Sequence, residues 1–412
     1  MMLAPGRRGI ALIITLWVII IMTIMAYSIL HEANINVELT RQFRDRFLAS
    51  VLARSGVGRA IVDLKNDLRL DMAAVGTNQA IDAKGDPWAR EDDEYTDSNS
   101  DRRLLHGFYT VRVVDENRFL PVNTTNLVVY SMLLQVLGLD EKEAEKVAAA
   151  IVDYIDPDDR PSLLETEADT EDKAYANLIG SENRQIRVQD VSYRNKNDRI
   201  NTLDELLQIY GVTPALYYGS AWTGEDDPRI RWRRPRYYQR INRPPDYRPG
   251  LRDVLSVYND TGLNLNTVEP EVSHAVFAMA TRSLSTGEDA TNSLVRHRPE
   301  PRGSTRRPPR NTDALVSFAQ LTGLGIDVST AASARSVANL GGRAFAYRIR
   351  STGTVRGVSY TIETIVDRDW DVITRDDSRG RNSRRGAVSR PRGREKQTHE
   401  APAIRVIEWR EF

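Results

Sequence analysis

The longest apolar run spans residues 10–30, IALIITLWVIIIMTIMAYSIL, which carry no charge. A helix of that length rises about 30 Å, the thickness of a bilayer's hydrocarbon core. No proline interrupts residues 31–70. In that stretch Ile35, Leu39, Phe43, Val57, Ile61, Leu64 and Leu68 fall within ~80° of one another at helical spacing. The pattern predicts one long helix over residues 10–70, its first part in a membrane and its second laid on a globular body.

Further along, the period changes. Residues 71–106 are polar and acidic and read as loop. Residues 108–114 alternate and are β-branched or aromatic, which predicts a strand; Asp115-Glu116-Asn117 reads as a turn and 118–122 as the return strand. Residues 127–137 have helical spacing and stop at Gly138. Asp140 with Glu143 forms a capping-box start, followed by an apolar face of Ala144, Val147, Ala148, Ile151, Val152 and Ile155. Thr202 with Glu205 opens another helix closed by Gly211, Thr213-Pro214 a short turn, and residues 272–281 a last helix. Residues 345–350 and 358–366 read as strands around Thr352-Gly353-Thr354, and 404–409 as a final strand. Strands flanking a helical block predict an α+β body with a large all-α insertion.

Composition narrows the chemistry. Lys+Arg and Asp+Glu are each 57 in 412 residues, so a globally basic nucleic-acid binder is not the default. The absence of cysteine removes disulfides, thiolate metal sites and cysteine nucleophiles. Five scattered histidines leave no histidine-rich metal motif. Paired carboxylates are plentiful, but no nucleophile motif such as GxSxG accompanies them, so no enzymatic activity is expected. Segments 220–250, 296–310 and 375–396 are rich in arginine and proline and read as solvated loops, with an anionic surface as the alternative ligand of their interleaved aromatics.

Arg7 and Arg8 before the apolar run orient the N-terminus to the cytoplasm. A cleaved signal peptide and a plain signal anchor are alternatives. Gly9, between the arginines and the apolar run, makes MMLAPGRRG resemble a type IV prepilin leader, cut between Gly9 and Ile10. Several further motifs follow in order: Ala53-Arg54-Ser55-Gly56, Val114-Asp115-Glu116-Asn117, the run IVDYIDPD at 151–158, Thr170-Glu171-Asp172 with Tyr175, Leu203-Asp204-Glu205-Leu206 with Gly211-Val212-Thr213-Pro214, and Leu263-Asn264-Leu265-Asn266-Thr267. Together they resemble the type II secretion system protein K family, the minor pseudopilins also called general secretion pathway protein K. Tyr154 stands where the family has tryptophan, and Asp169-Thr170 where it has Gly-Ala.

The resemblance implies a pilin-like fold: a long N-terminal transmembrane and amphipathic helix, an antiparallel sheet and a large inserted all-α domain. The expected division is a leader at 1–9, the helix at 10–70, the first part of the body at 71–122, the inserted domain at 123–285, an Arg/Pro-rich loop at 286–312 and the second part of the body at 313–412, with a flexible Arg-rich segment at 375–396. It implies a place at the tip of the type II secretion pseudopilus, single-pass in the bacterial inner membrane, with the body in the periplasm. Expected partners are minor pseudopilins I and J, the major pseudopilin and the prepilin peptidase, with N-terminal methylation after cleavage and no nucleic acid. After cleavage the fifth mature residue is Ile14, in keeping with a family that lacks the usual glutamate there. A type IV pilus or competence minor pilin, and a membrane-anchored nucleic-acid-binding protein, are the alternatives.

Nine carboxylates lie between Asp153 and Asp172, with Pro157 and Pro161 bending the backbone. Calcium takes six to eight oxygen ligands on such a frame. An EF-hand register from Asp156 fails, because Arg160 and Pro161 fall at positions five and six. A solvated acidic loop capping the preceding helix is the alternative. With the family resemblance, the expectation is a calcium site drawing on Asp156, Asp158, Glu171 and Asp172.

Overall fold

The computed structural model describes residues 6–75, 82–84, 86–89, 93–95, 107–162, 168–182, 193–260, 262–298, 340–368 and 404–412. The segment 375–396 lies outside them. Helix α1 (Gly6–Val75) is one continuous element of 70 residues, about 105 Å long. Among the described residues it is the one helix long and apolar enough to cross a membrane.

A five-stranded sheet, in the order β1 (Asp93–Tyr95), β2 (Gly107–Asp115), β5 (Ala346–Val355), β6 (Val358–Arg368) and β7 (Ile404–Glu411), is antiparallel throughout. Helix α1 packs on one face of it. The contact stripe is Ala49, Leu52, Ala53, Gly56, Val57, Ala60 and Leu64, all buried, against Val111, Val113, Ile349 and Ile362. Helix and sheet meet so closely that a Cβ at Gly56 would strike Ser351, Tyr109 and Val111, and one at Gly353 would strike the Ala49 carbonyl and the Ala53 amide. The expected face holds at Val57 and Leu64, but Ile35, Leu39 and Phe43 are exposed, because α1 has left the body by that point.

Strands β5 and β6 form the expected hairpin, with one correction. Thr352-Gly353-Thr354 lies inside β5, and the turn is Arg356-Gly357, both at positive φ, closing a two-residue hairpin between Val355 and Val358. A second correction concerns the strand after β2. Residues Leu120–Pro121 (β3) do not return to β2 but pair in parallel with β4 (Leu255–Ser256), far along the chain.

Between β2 and β5 the chain makes its excursion through helices α2 (Leu127–Val136), α3 (Glu141–Ile155), α4 (Glu171–Glu182), α5 (Pro214–Tyr218), α6 (Pro270–Thr281) and α7 (Leu284–His297). Gly138 has φ +106 just past α2, and the Asp140 side chain caps α3 by accepting from the Glu143 amide at 3.1 Å. Thr202 and Glu205 form their capping box on a 3₁₀ turn, Leu203–Gln208. Tyr130, Leu133, Ile151, Tyr175, Leu206, Val272 and Phe277 share one buried core.

Residues 286–297, expected as loop, belong to α7, which Ser283 caps from its side chain. Residues 220–250, expected as solvated loop, are folded. Tyr237 and Tyr238 are fully buried, and Arg234 donates to the carbonyls of Arg243, Pro244 and Pro245 at 2.6–2.9 Å.

Both ends of the excursion meet, because Asp115 and Tyr347 face each other across β2 and β5. Asn117 holds the junction. Its Nδ2 donates to Asn259 Oδ1 and Gly262 O at 2.9 and 2.8 Å, and its Oδ1 accepts from the Phe345 and Ala346 amides at 2.7 and 3.3 Å. Two donor and two acceptor sites of the buried amide are thereby used. Asn117→Ala leaves several buried polar groups without partners, at 1–3 kcal/mol each, and is expected to destabilise the chain by about 3 kcal/mol. A denaturant midpoint unchanged by the substitution would remove Asn117 from this role.

Candidate functional site

The acidic stretch is built on the end of α3 and the start of α4. Asp153 sits in the last turn of α3 with no exposure, Asp156 is its C-cap, and Glu171, equally buried, is the first residue of α4. One oxygen from each of the three lies within 4.8 Å of the others. Asp153 accepts from the Ser162 amide at 3.0 Å and from the Tyr175 hydroxyl at 2.6 Å. Glu171 Oε2 accepts from Asn195 Nδ2 at 2.9 Å, and the Asn195 amide donates to Asp172 Oδ1 at 2.8 Å. Asn195 thus ties the loop after α4 back to its first turn.

What remains is an unbalanced set of acceptors. Asp156 Oδ1, Glu171 Oε1 and Asn195 Oδ1 are buried and have no hydrogen-bond donor among the described residues. Burial, outweighing the bonds from Ser162 and Tyr175, raises the Asp153 carboxyl above its ordinary range. Burial, then repulsion from Asp158 and Asp153, pushes Asp156 up to about 6. Burial, with repulsion from Asp153, Asp156 and Asp159, pushes Glu171 up to about 8. Among the described residues, no cation figures in the groups that set these shifts.

The donor set is all oxygen, and two ligands on opposite sides of a Ca²⁺ at 2.3–2.6 Å stand roughly 5 Å apart. The spacing of Asp153, Asp156 and Glu171 and the orphaned acceptors therefore fit a hard divalent cation, with those three carboxylates as the residues that would hold it and Asn195 Oδ1 as a further buried acceptor. Of the four expected ligands, Asp156 and Glu171 come together. Asp158 Oδ1 instead accepts from the Arg160 amide at 2.9 Å, and Asp172 fixes the Asn195 backbone. Asp153 and Asn195 are outside the expected set. Asp153 reads as a buried helix residue in sequence, and Asn195 lies more than twenty residues from either acid.

A second group, Asp67, Asp82 and Asp86, is equally compact. Here the buried guanidinium of Arg368 lies 2.6 Å from Asp82, and the Tyr347 hydroxyl and Ala344 amide also donate to that carboxylate. Arg368, also 3.9 Å from Asp67, gives this group a cation of its own, which the α3–α4 cluster lacks among the described residues.

A long helix laid on an antiparallel sheet, with a helical body inserted between neighbouring strands, is an α+β architecture. Residues 111–219, from β2 to the end of α5, match the family model for type II secretion system (T2SS), protein K. The whole acidic cluster lies within this segment. A curated relative, type II secretion system protein K of Pectobacterium carotovorum subsp. carotovorum, is 27% identical over 212 residues, or 51% of this chain. The match spans 60% of that relative's length. A solved structure, the GspK-GspI-GspJ complex of the enterotoxigenic Escherichia coli Type 2 Secretion System, has a chain that is similar at a TM-score of 0.48 and 16% identity. The alignment covers 81% of this chain and 94% of that one.

The cluster has a signature without metal. Folded pKa values above the unfolded ones mean that the folded state binds more protons, so stability falls as pH rises from about 4 to 8. In excess chelator the melting temperature is expected to drop across that window. Glu171→Gln removes one such group and is expected to flatten the drop. A wild-type profile as flat as the variant's would contradict the crowding of these acids.

Proposed function

We propose that this chain is a minor pseudopilin of type II secretion, a structural subunit at the tip of the pseudopilus. The observation that supports it most is the joining of a segment that matches protein K to a single helix that starts as an uncovered apolar span and ends packed on a sheet. In this reading residues 10–30 anchor the chain in the inner membrane, with the body on the periplasmic side. Minor pseudopilins I and J are the proposed neighbours, in keeping with the complex in which the similar chain was solved. The major pseudopilin and the prepilin peptidase are the other proposed partners. The exposed Ile35, Leu39, Phe43 and Phe47 give neighbouring helices an apolar face to cover.

The reading includes processing. Cleavage between Gly9 and Ile10 frees the apolar helix from its basic leader and leaves the anchor in place. Mass spectrometry of the mature N-terminus, in cells with and without prepilin peptidase, is the test. A peptidase-dependent, N-methylated start at Ile10 is expected. A start near Ile29 would make the protein soluble and end the pseudopilin reading.

We also propose that the α3–α4 cluster holds calcium. The ion supplies positive charge to three crowded carboxylates and links the end of α3, the start of α4 and the Asn195 loop. Binding to the folded state alone stabilises by about 2.7 kcal/mol at a hundredfold excess over Kd. Calcium added to chelated protein at pH 7.5 is expected to raise the melting temperature by several degrees, and Glu171→Gln to abolish the rise. No heat of binding and no shift would remove the metal while leaving the pseudopilin assignment standing.

A further inference from the structure

Outside the segment that matches protein K, the Arg/Tyr-rich segment and α7 enclose an open cleft of about 510 Å³. One wall is the 3₁₀ turn Arg236–Gln239 with Arg240, and the other is a face of α7 at Asp289, Asn292, Ser293 and Arg296. The residues on α7 recur at helical spacing, so they present one continuous row. Tyr237 and Tyr238, buried on the far side of the turn, fix its position against α6 through His274 and Glu271.

The charge in this cleft is one-sided. Its acid, Asp289, is engaged by Arg236 at 2.8 Å, and Arg236 also donates from its backbone to Glu288 at 2.6 Å. The side chains of Gln239, Arg240, Asn292, Ser293 and Arg296 make no hydrogen bond to any described residue. Two guanidiniums and three neutral donors therefore face a cavity whose own carboxylate is already paired.

Guanidinium forks match carboxylates in bidentate geometry, and amides and hydroxyls complete such a site. The volume is many times that of one small anion, since a water molecule takes about 30 Å³. A lipid surface is a poor fit. The lining carries no apolar side chain to insert, and the body begins near Asp45, ~22 Å along α1 from the end of the apolar run at Leu30. That separation exceeds the ~8 Å over which a membrane's charge is felt in physiological salt.

We propose that this cleft binds an acidic peptide segment of a partner protein, with Arg240 and Arg296 gripping its carboxylates. The inference does not depend on the calcium site or on cleavage of the leader. Fluorescein-labelled hexaglutamate, titrated by anisotropy against the full chain in detergent micelles, is the probe. Saturable binding that weakens with added salt is expected, and Arg240→Ala with Arg296→Ala should reduce affinity at least tenfold. Arg112→Ala, on the exposed side of β2, should leave it unchanged. Both guanidiniums are exposed, so the double variant should melt like the wild type; should it fail to fold, Arg240→Lys with Arg296→Lys must still lose several-fold through its missing forks. Equal affinity in wild type and variants, or no binding, would overturn the proposal. So would inorganic phosphate displacing the peptide at matched charge, which would mark a small-anion site. Phosphatidylglycerol vesicles bound by the wild type and released by the double variant, without peptide binding, would assign the cleft to lipid.

Discussion

The architecture depends on how the chain closes one buried polar junction. Inserting a helical body of more than two hundred residues between neighbouring strands separates their ends in sequence, and loop closure of that length is entropically costly. The junction restores their contact with hydrogen bonds that leave few alternatives. Asn117 joins the exit from β2, the 259–262 loop and the entry to β5. Beside it, Asp115 Oδ2 accepts from Asn264 at 2.9 Å and from Thr267 at 2.5 Å, while burial raises its carboxyl to about 7. Glu116 accepts from Ser256 and Arg348, linking β4 to β5. A half-satisfied network of this kind costs more than an apolar core, so the junction holds one arrangement or fails. The inserted body is thereby fixed to the sheet rather than tethered to it.

The second constraint is the contact between α1 and the sheet. Ala49, Ala53, Gly56 and Ala60 let the helix backbone approach β5, and Gly353 removes the side chain that would hold it off. Large apolar residues would bury more area but set the helix further out. On the part of α1 that has left the body, Ile35, Leu39 and Phe43 are exposed. One helix therefore carries two kinds of surface: Ala49, Ala53, Gly56 and Ala60 interspersed with buried Leu52, Val57 and Leu64 against its own sheet, and exposed large residues further toward the N-terminus. Such a division suits a subunit whose helix is covered only in an assembly.

Local signals in the sequence located the elements that depend on local physics. The membrane run, the glycine after α2, the Asp140 cap, β2 and the β5–β6 hairpin all follow from a few neighbouring residues. What was not legible depends on distant partners. The β3–β4 pair joins residues about 135 positions apart. Gly353 looks like a turn residue because a glycine between threonines usually is one, and only the approach of α1 explains its place inside a strand. The 220–250 segment reads as solvated because of its arginines, yet Arg234 donates to backbone carbonyls and Arg243 pairs with Glu269, partners that only the fold brings near. At the acidic cluster, the stretch was evident and the fold brings Asp156 and Glu171 together, but it adds Asp153 from inside the helix and Asn195 from far along the chain.

Buried carboxylates are handled in three ways in this chain, and the contrast gives the acidic cluster its meaning. Asp82 meets the guanidinium of Arg368, with tyrosine and backbone donors filling its remaining positions. Glu269 lies between Arg118 and Arg243; burial raises its carboxyl, but Arg118, Lys84 and Arg243 outweigh burial and hold it below the ordinary range. Asp153, Asp156 and Glu171 have no such cation, and all three shift upward. Burying an unpaired charge costs several kcal/mol, and three together cost more. Where Asp82 and Glu269 have arginine beside them, these three have no cation among the described residues, so protons or a metal are the available counter-charge. Two helix ends and the Asn195 loop converge on them. A proton on one carboxyl would give its neighbours a donor, and a divalent cation would meet the charge and the open oxygen positions together, which is the choice that the calcium titration tests.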